Sequence, residues 1–275
     1  MSRILLEFRI PLPFSAEDAK QAYPYGNTVA LKRLYDFHCA CDWSISENFD
    51  NSDGSQEGSP VFNLPIPQMK GQYDYKVTDM ASMYPAFVIA CVPGHQLTCE
   101  EECYTSLPYI EAWSSSKLVG TDRFTCKIKT LFKDDLGTED NVFNLSEDEL
   151  EKRSIEFRDI NQHHSTEKVN PVLDIKNFKC TKRGFGPLPE DWIENSCIPS
   201  KCTMYRLIDI KFNLLGLSTI ISTLLSNQHK QYEPEIARDM VRTMDEWIDM
   251  TDEDIKRIET ECRETLKEQS QKLKK

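Results

Sequence analysis

The sequence predicts an α+β fold in which a curved antiparallel sheet wraps a long C-terminal helix. Three observations predict it. Several short runs alternate in hydrophobicity with a period of two residues. Few helical patterns lie between them. The stretch from Pro234 to Lys275 carries an apolar stripe with helical spacing: Ile236, Met240, Val241, Met244, Trp247 and Ile248, then Ile255, Ile258, Cys262 and Leu266.

Taken in order, residues 3–10 place Ile4, Leu6, Phe8 and Ile10 on one side, a half-buried strand that Pro11 and Pro13 should end. Ser15 with Asp18 resembles a capping box and opens a helix that Pro24 and Gly26 should interrupt. Asn51 to Pro60 has the composition of a surface loop. Strand-like runs follow at Tyr75–Met80, Pro85–Val92 and Tyr109–Ser114, with Thr98 and Glu101 read as capping a short helix. Arg123–Phe132 alternates most cleanly and turns Thr130 inward among apolar neighbours. Ser146 with Glu149 caps another turn before a strand near Ile155–Ile160. His163-His164 reads as solvated loop.

Two inward charges stand out. In Met204–Phe212 the apolar side is Met204, Arg206, Ile208, Ile210 and Phe212, so Arg206 faces the core. Thr251 with Asp254 caps the last helix, and at about 100° per residue Glu259 falls inside its apolar stripe. A single such charge is ordinarily a side chain with its head in solvent. An inward Arg and an inward Glu together imply an interior that holds a polar guest.

Composition limits the function. Hydrophobic content of 39% and charged content of 28% fit one folded unit over residues 1–275. A net charge of −12 argues against nucleic acid as a partner and against permanent adhesion to an anionic membrane. No apolar run is long enough for a signal peptide or a membrane span, and the ten cysteines read as reduced thiols of a cytoplasmic protein. Their spacing matches no common zinc pattern, so no metal is expected. No nucleophile elbow, phosphate loop or dinucleotide fingerprint is present, so no catalytic residues are assigned.

Several runs resemble the phosphatidylinositol transfer protein family. They are Lys70-Gly71-Gln72-Tyr73-x-x-Lys76, Pro85-x-Phe87-Val88, Asp135-Leu136-Gly137-Thr138-x-x-Asn141-Val142 and Gly184-Phe185-Gly186-Pro187-Leu188-x-x-x-Trp192. Tyr205-x-Leu207 through Lys211-Phe212 with Gly216, and Trp247-x-Asp249-x-Thr251-x-x-Asp254-Ile255, complete the series. The runs occur in one order and cover nearly the whole chain. The resemblance implies a START-like helix-grip fold enclosing one phospholipid, phosphatidylinositol or phosphatidylcholine, as ligand and no other cofactor. It implies head-group contacts at Lys76, Thr130, Arg206 and Glu259. Arg206, standing where the family has Lys, keeps the charge and adds a planar fork suited to phosphate.

The chain also departs from the family. Asp74 replaces an inositol-contacting Thr, Thr105 a head-group Asn, Ala112 a Thr and Tyr23 a Gln. Leu214-Leu215 stands where a membrane-entering tryptophan pair lies, and Cys180 where a phosphorylatable Ser lies. The expected function is a monomeric carrier that touches membranes transiently. A lipid sensor reporting to a protein partner is the alternative. An enzyme using Glu259 with Arg206 is weaker still, because no nucleophile accompanies them.

Overall fold

The computed structural model describes residues 2–36, 41–79, 86, 90, 98–115, 120–163, 174–196, 198–213 and 218–273. Eight strands form one sheet: β1 (Ser2–Leu12), β2 (Cys41–Asp50), β3 (Lys70–Asp79), β4 (Thr98–Ser106), β5 (Tyr109–Ser115), β6 (Phe124–Lys133), β7 (Ser154–Phe157) and β8 (Cys202–Phe212). Their spatial order is β2-β3-β4-β5-β6-β8-β1-β7, antiparallel except for the parallel β1–β7 pair at one edge. The helices are α1 (Ala19–Asp36), α2 (Glu147–Lys152), α3 (Ser218–Arg242), α4 (Met244–Trp247) and α5 (Asp252–Leu273).

The core lies between the inner face of the sheet and the helices. Phe8, Ile10, Met204, Ile208 and Ile210 pack there against Ala237, Met240, Val241, Met244 and Trp247. This is the strand alternation meeting the helical stripe, as the sequence predicts. Both α3 and α5 pack on α1, while α3 also reaches β1 and α5 reaches β2. The predicted Thr251–Asp254 box opens α5, with the Thr251 amide donating to Asp254 at 3.1 Å and the Asp254 amide to Thr251 Oγ1 at 3.2 Å. The Ser15–Asp18 and Ser146–Glu149 boxes form likewise.

Several expectations need correction. Pro24 and Gly26 do not interrupt α1, which runs through both. Thr28 Oγ1 donates to the Pro24 carbonyl at 3.0 Å. Gly26 marks a close helix approach, since a Cβ there would lie 2.6 Å from Met240 Cγ. Likewise Pro234 lies within α3, which starts well before the apolar stripe at Ile236. Thr98 and Glu101 cap no helix, because both belong to β4. Glu101, the acid read as part of that cap, instead pairs across the sheet with Lys76 of β3, and its neighbours in β4 are satisfied as well. Glu100 accepts from Tyr75 Oη at 2.5 Å, and Glu102 from Tyr73 Oη at 2.9 Å and Ser59 Oγ at 2.5 Å.

β1 is buried on both faces, not half-buried, and continues through Pro11, which pairs with Thr203. Phe143, with Val142 and Leu145, covers Leu5, Tyr205 and Leu207 on the outer face. The strand expected near Ile155–Ile160 is confined to Ser154–Phe157. His163 is not simply solvated, since its Nε2 lies 3.0 Å from Asp174 Oδ1. Of the run Pro85–Val92 only Ala86 and Ala90 are described, and both are helical. Cys99, Cys103, Cys126, Cys180, Cys202 and Cys262 are free thiols.

Candidate functional site

Strand register builds the site. Antiparallel pairing aligns Thr105 with Ile110, Ile110 with Thr130, and Thr130 with Arg206, one cross-strand row on the inner face. A neighbouring row aligns Lys76 with Glu101, Glu101 with Ser114, Ser114 with Cys126 and Cys126 with Ile210. Asp74, Cys103 and Ala112 form the row between them. Because side chains alternate, these rows all point toward the helices.

There they line a cavity of about 270 Å³. Tyr23 enters it from α1, Tyr232 and Glu233 from α3, and Glu259 from α5. Lys76, Thr130, Arg206, Glu259, Asp74, Thr105, Ala112 and Tyr23 therefore all border the same hollow. Leu214 and Leu215 lie outside the described residues.

The charges are organised in pairs. Arg206, 7% exposed, has its Nε 2.5 Å from Glu233 Oε2 and donates from Nη1 to Thr130 Oγ1 at 3.2 Å. Glu233 is fully buried, and His229 Nδ1 lies 2.9 Å from its other oxygen. Burial opposes the charge on Arg206, but the adjacent Glu233 carboxylate overrides it and raises the guanidinium pKa. Burial also pushes Glu233 up. The attraction of Arg206 and the His229 contact outweigh it, holding the carboxyl below its ordinary range.

Lys76 Nζ lies 2.5 Å from Glu101 Oε1. Burial works against this ammonium, and Glu101 more than offsets it, so the amine pKa rises. Asp74 faces α5, its Oδ1 3.5 Å from Arg263 Nη2. Glu259 is shifted the other way: burial raises its carboxyl pKa, Arg263 works against the shift and Asp74 adds to it. The thiols of Cys99 and Cys103 on the same wall are pushed up to about 12, chiefly by burial, which leaves them protonated and unreactive at neutral pH.

Glu101, His229, Glu233 and Arg263 were missed in the sequence. For Glu233 a signal existed: Leu225, His229, Tyr232, Ile236 and Met240 recur at helical spacing around it, the same pattern that exposed Glu259. Starting the stripe at Ile236 hid it. Away from the cavity, Cys180 is buried and its Sγ lies 3.1 Å from Asp245 Oδ1, with Thr181 and Lys182 amides donating to the same carboxylate.

No helix among the described residues is long and apolar enough to cross a membrane. The sequence model of a family described as phosphatidylinositol transfer protein matches residues 4–264. Phosphatidylinositol transfer protein 1 of Dictyostelium discoideum is 27% identical over 277 residues, covering 96% of this chain and 94% of that one. The phosphatidylinositol transfer protein beta isoform of Homo sapiens is 30% identical over 271 residues, 96% of this chain and 93% of its own. Membrane-associated phosphatidylinositol transfer protein 2 of Homo sapiens is 29% identical over 272 residues, which make up 94% of this chain but 18% of that longer protein. Matched almost from end to end, with relatives of similar length aligned over nearly all of theirs, the chain belongs to the phosphatidylinositol transfer protein family.

Proposed function

We propose that the chain is a lipid carrier: it takes one phospholipid into the cavity, head group against Arg206, Thr130, Lys76 and Glu259, and moves it between membranes. The sheet and helices then act as a helix grip around the lipid. The observation that carries this reading is the convergence of inward polar groups from β3, β4, β6, β8, α3 and α5 on one hollow. Buried charge is costly unless something polar occupies the space it borders. Thr130 and the guanidinium fork of Arg206 can donate to phosphate oxygens, and Thr105 and Asp74 are placed to meet head-group hydroxyls or amines. The names of the relatives point to the same cargo class.

In this reading the protein acts as a monomer in the cytoplasm, meets membranes only in passing, and makes or breaks no bond. Leu214 and Leu215, separated from the end of β8 by one residue in the sequence, are the part that enters the bilayer. Each would contribute at most about 1.5–3 kcal/mol of apolar burial. Transfer of labelled lipid between vesicles at sub-stoichiometric protein concentration tests the carrier. Leu214→Ala with Leu215→Ala should slow transfer while lipid occupancy in solution stays intact. Occupancy without any transfer would favour a lipid sensor, and unchanged rates in the double variant would remove this pair from the mechanism.

A further inference from the structure

Among the described residues, both permanent cations that line the cavity are matched at close range by a carboxylate from a neighbouring element: Lys76 by Glu101 and Arg206 by Glu233. Two more carboxylates, Asp74 and Glu259, border the same space. Arg263 stands behind Asp74 at 3.5 Å, so among the described residues two lining cations and one behind the wall stand against four carboxylates. His229, a further titratable base on the wall, is in contact with Glu233.

Such a site is ill matched to a guest that is only negative. A phosphodiester settling on Arg206 must share it with a buried Glu233. A phosphoinositol head group brings no positive charge to compensate, and in a poorly solvated cavity that imbalance is weakly screened. A head group carrying its own ammonium restores the balance, because Glu259 and Asp74 can take the cation while Arg206 and Thr130 take the phosphate. Tyr23 and Tyr232 also border the hollow, and aromatic faces attract quaternary ammonium groups.

We propose that this cavity selects phospholipids whose head group carries an amine or quaternary ammonium over phosphoinositol lipids, through the Arg206–Glu233 and Lys76–Glu101 pairs together with Asp74 and Glu259. This rests on the carrier reading above and specifies its cargo.

The test incubates the full chain with vesicles holding equal amounts of phosphatidylcholine and phosphatidylinositol. The protein is then re-isolated and its bound lipid identified by native mass spectrometry. The expected result is phosphatidylcholine over phosphatidylinositol by roughly tenfold or more, the scale of one unbalanced charge in such a site. Glu233→Gln, which releases Arg206, should move the ratio toward the inositol lipid by about tenfold. Glu101→Gln should do the same for Lys76 at a position whose side chain is 20% exposed and better able to tolerate change. Equal loading, or an excess of the inositol lipid in the unaltered protein, overturns the proposal while leaving the carrier reading standing. A ratio unmoved in both variants, each folded by circular dichroism, also overturns it. If neither lipid loads, the carrier reading falls first and the selectivity with it.

Discussion

The two faces of the sheet both bury charge, and they do so differently. On the outer face Glu7 is fully buried between two arginines, with Arg9 Nε at 2.7 Å and Arg153 Nη1 at 2.6 Å. Backbone takes up further donors: Arg9 reaches the carbonyls of Gly137 at 3.0 Å and Asp140 at 3.1 Å, and Arg153 reaches Asp140 at 2.6 Å. The cluster clamps the 137–140 segment onto β1. On the inner face Arg206–Glu233 and Lys76–Glu101 are as tight, but they border open volume. Closed on itself, a charge network serves the fold; set against a void, it serves whatever fills the void.

The largest expected effect breaks the outer cluster. Glu7→Gln removes the fully buried one of the two carboxylates that Arg9 and Arg153 share, leaving them only the exposed Asp140, and should cost about 3–5 kcal/mol of stability. Denaturant unfolding measures this, and lipid loading per folded molecule should not change. A loss below about 1 kcal/mol, the range of an exposed pair, would mean the two faces are not different in kind.

Next comes the inner face. Arg206→Ala should lower loading of any phospholipid by at least about tenfold, since a charge-assisted contact to phosphate is lost. The unfolding midpoint should move less than for Glu7→Gln, because His229 remains beside Glu233 and that carboxyl can take up a proton. Loading that survives the change would remove Arg206 from the head-group site.

Acid should separate the two inner carboxyls. Glu259 has a raised pKa through burial, with Asp74 adding to the shift. Its stabilising contribution is therefore complete below the unfolded carboxylate range and lost as pH rises through the folded value. Glu233 is depressed: burial pushes it up, and Arg206 overrides. Its contribution is present above the unfolded range and lost only as pH falls through the depressed value. On acidification Glu259 takes its proton first, so lipid loading should decline while the fold is still intact. Parallel titrations of loading and of the unfolding midpoint check this; coincident curves would contradict it.

The smallest effect concerns the support of Glu259. Thr251→Ala removes one half of the capping box that starts α5 and should cost about 1 kcal/mol. Thermal unfolding would register it, with a modest decline in loading if α5 frays toward Glu259. A decline in loading as deep as that of Arg206→Ala would show that helix placement, more than charge, governs the site.

Much of this was legible in one dimension. Alternation turned Thr130 and Arg206 to the inside of their strands, and helical spacing placed Glu259 in the inward stripe. Each follows from a period of two or of 3.6 residues, which depends on local backbone geometry alone. The capping boxes at Ser15, Ser146 and Thr251 are local as well, reaching three residues along the chain. Where local signals conflicted with packing, they misled. Thr98 and Glu101 looked like a helix start, yet both lie in β4, where Glu101 meets Lys76 of β3. Pro24 and Gly26 looked like a break in a helix that tertiary contacts carry through.

By itself the sequence determined which residue types point inward, and that a polar guest was to be housed among them. Only the tertiary structure decided who meets whom. Lys76 finds Glu101 because β3 and β4 pair in one register, and Arg206 finds Glu233 because α3 packs on β1, the neighbour of β8. Asp74 finds Arg263 because α5 packs over the β2–β3 edge. Periodicity specifies a face but never the partner opposite it. The charge balance of a cavity is a sum over partners, so it comes into being only when distant segments are brought to within a few ångströms.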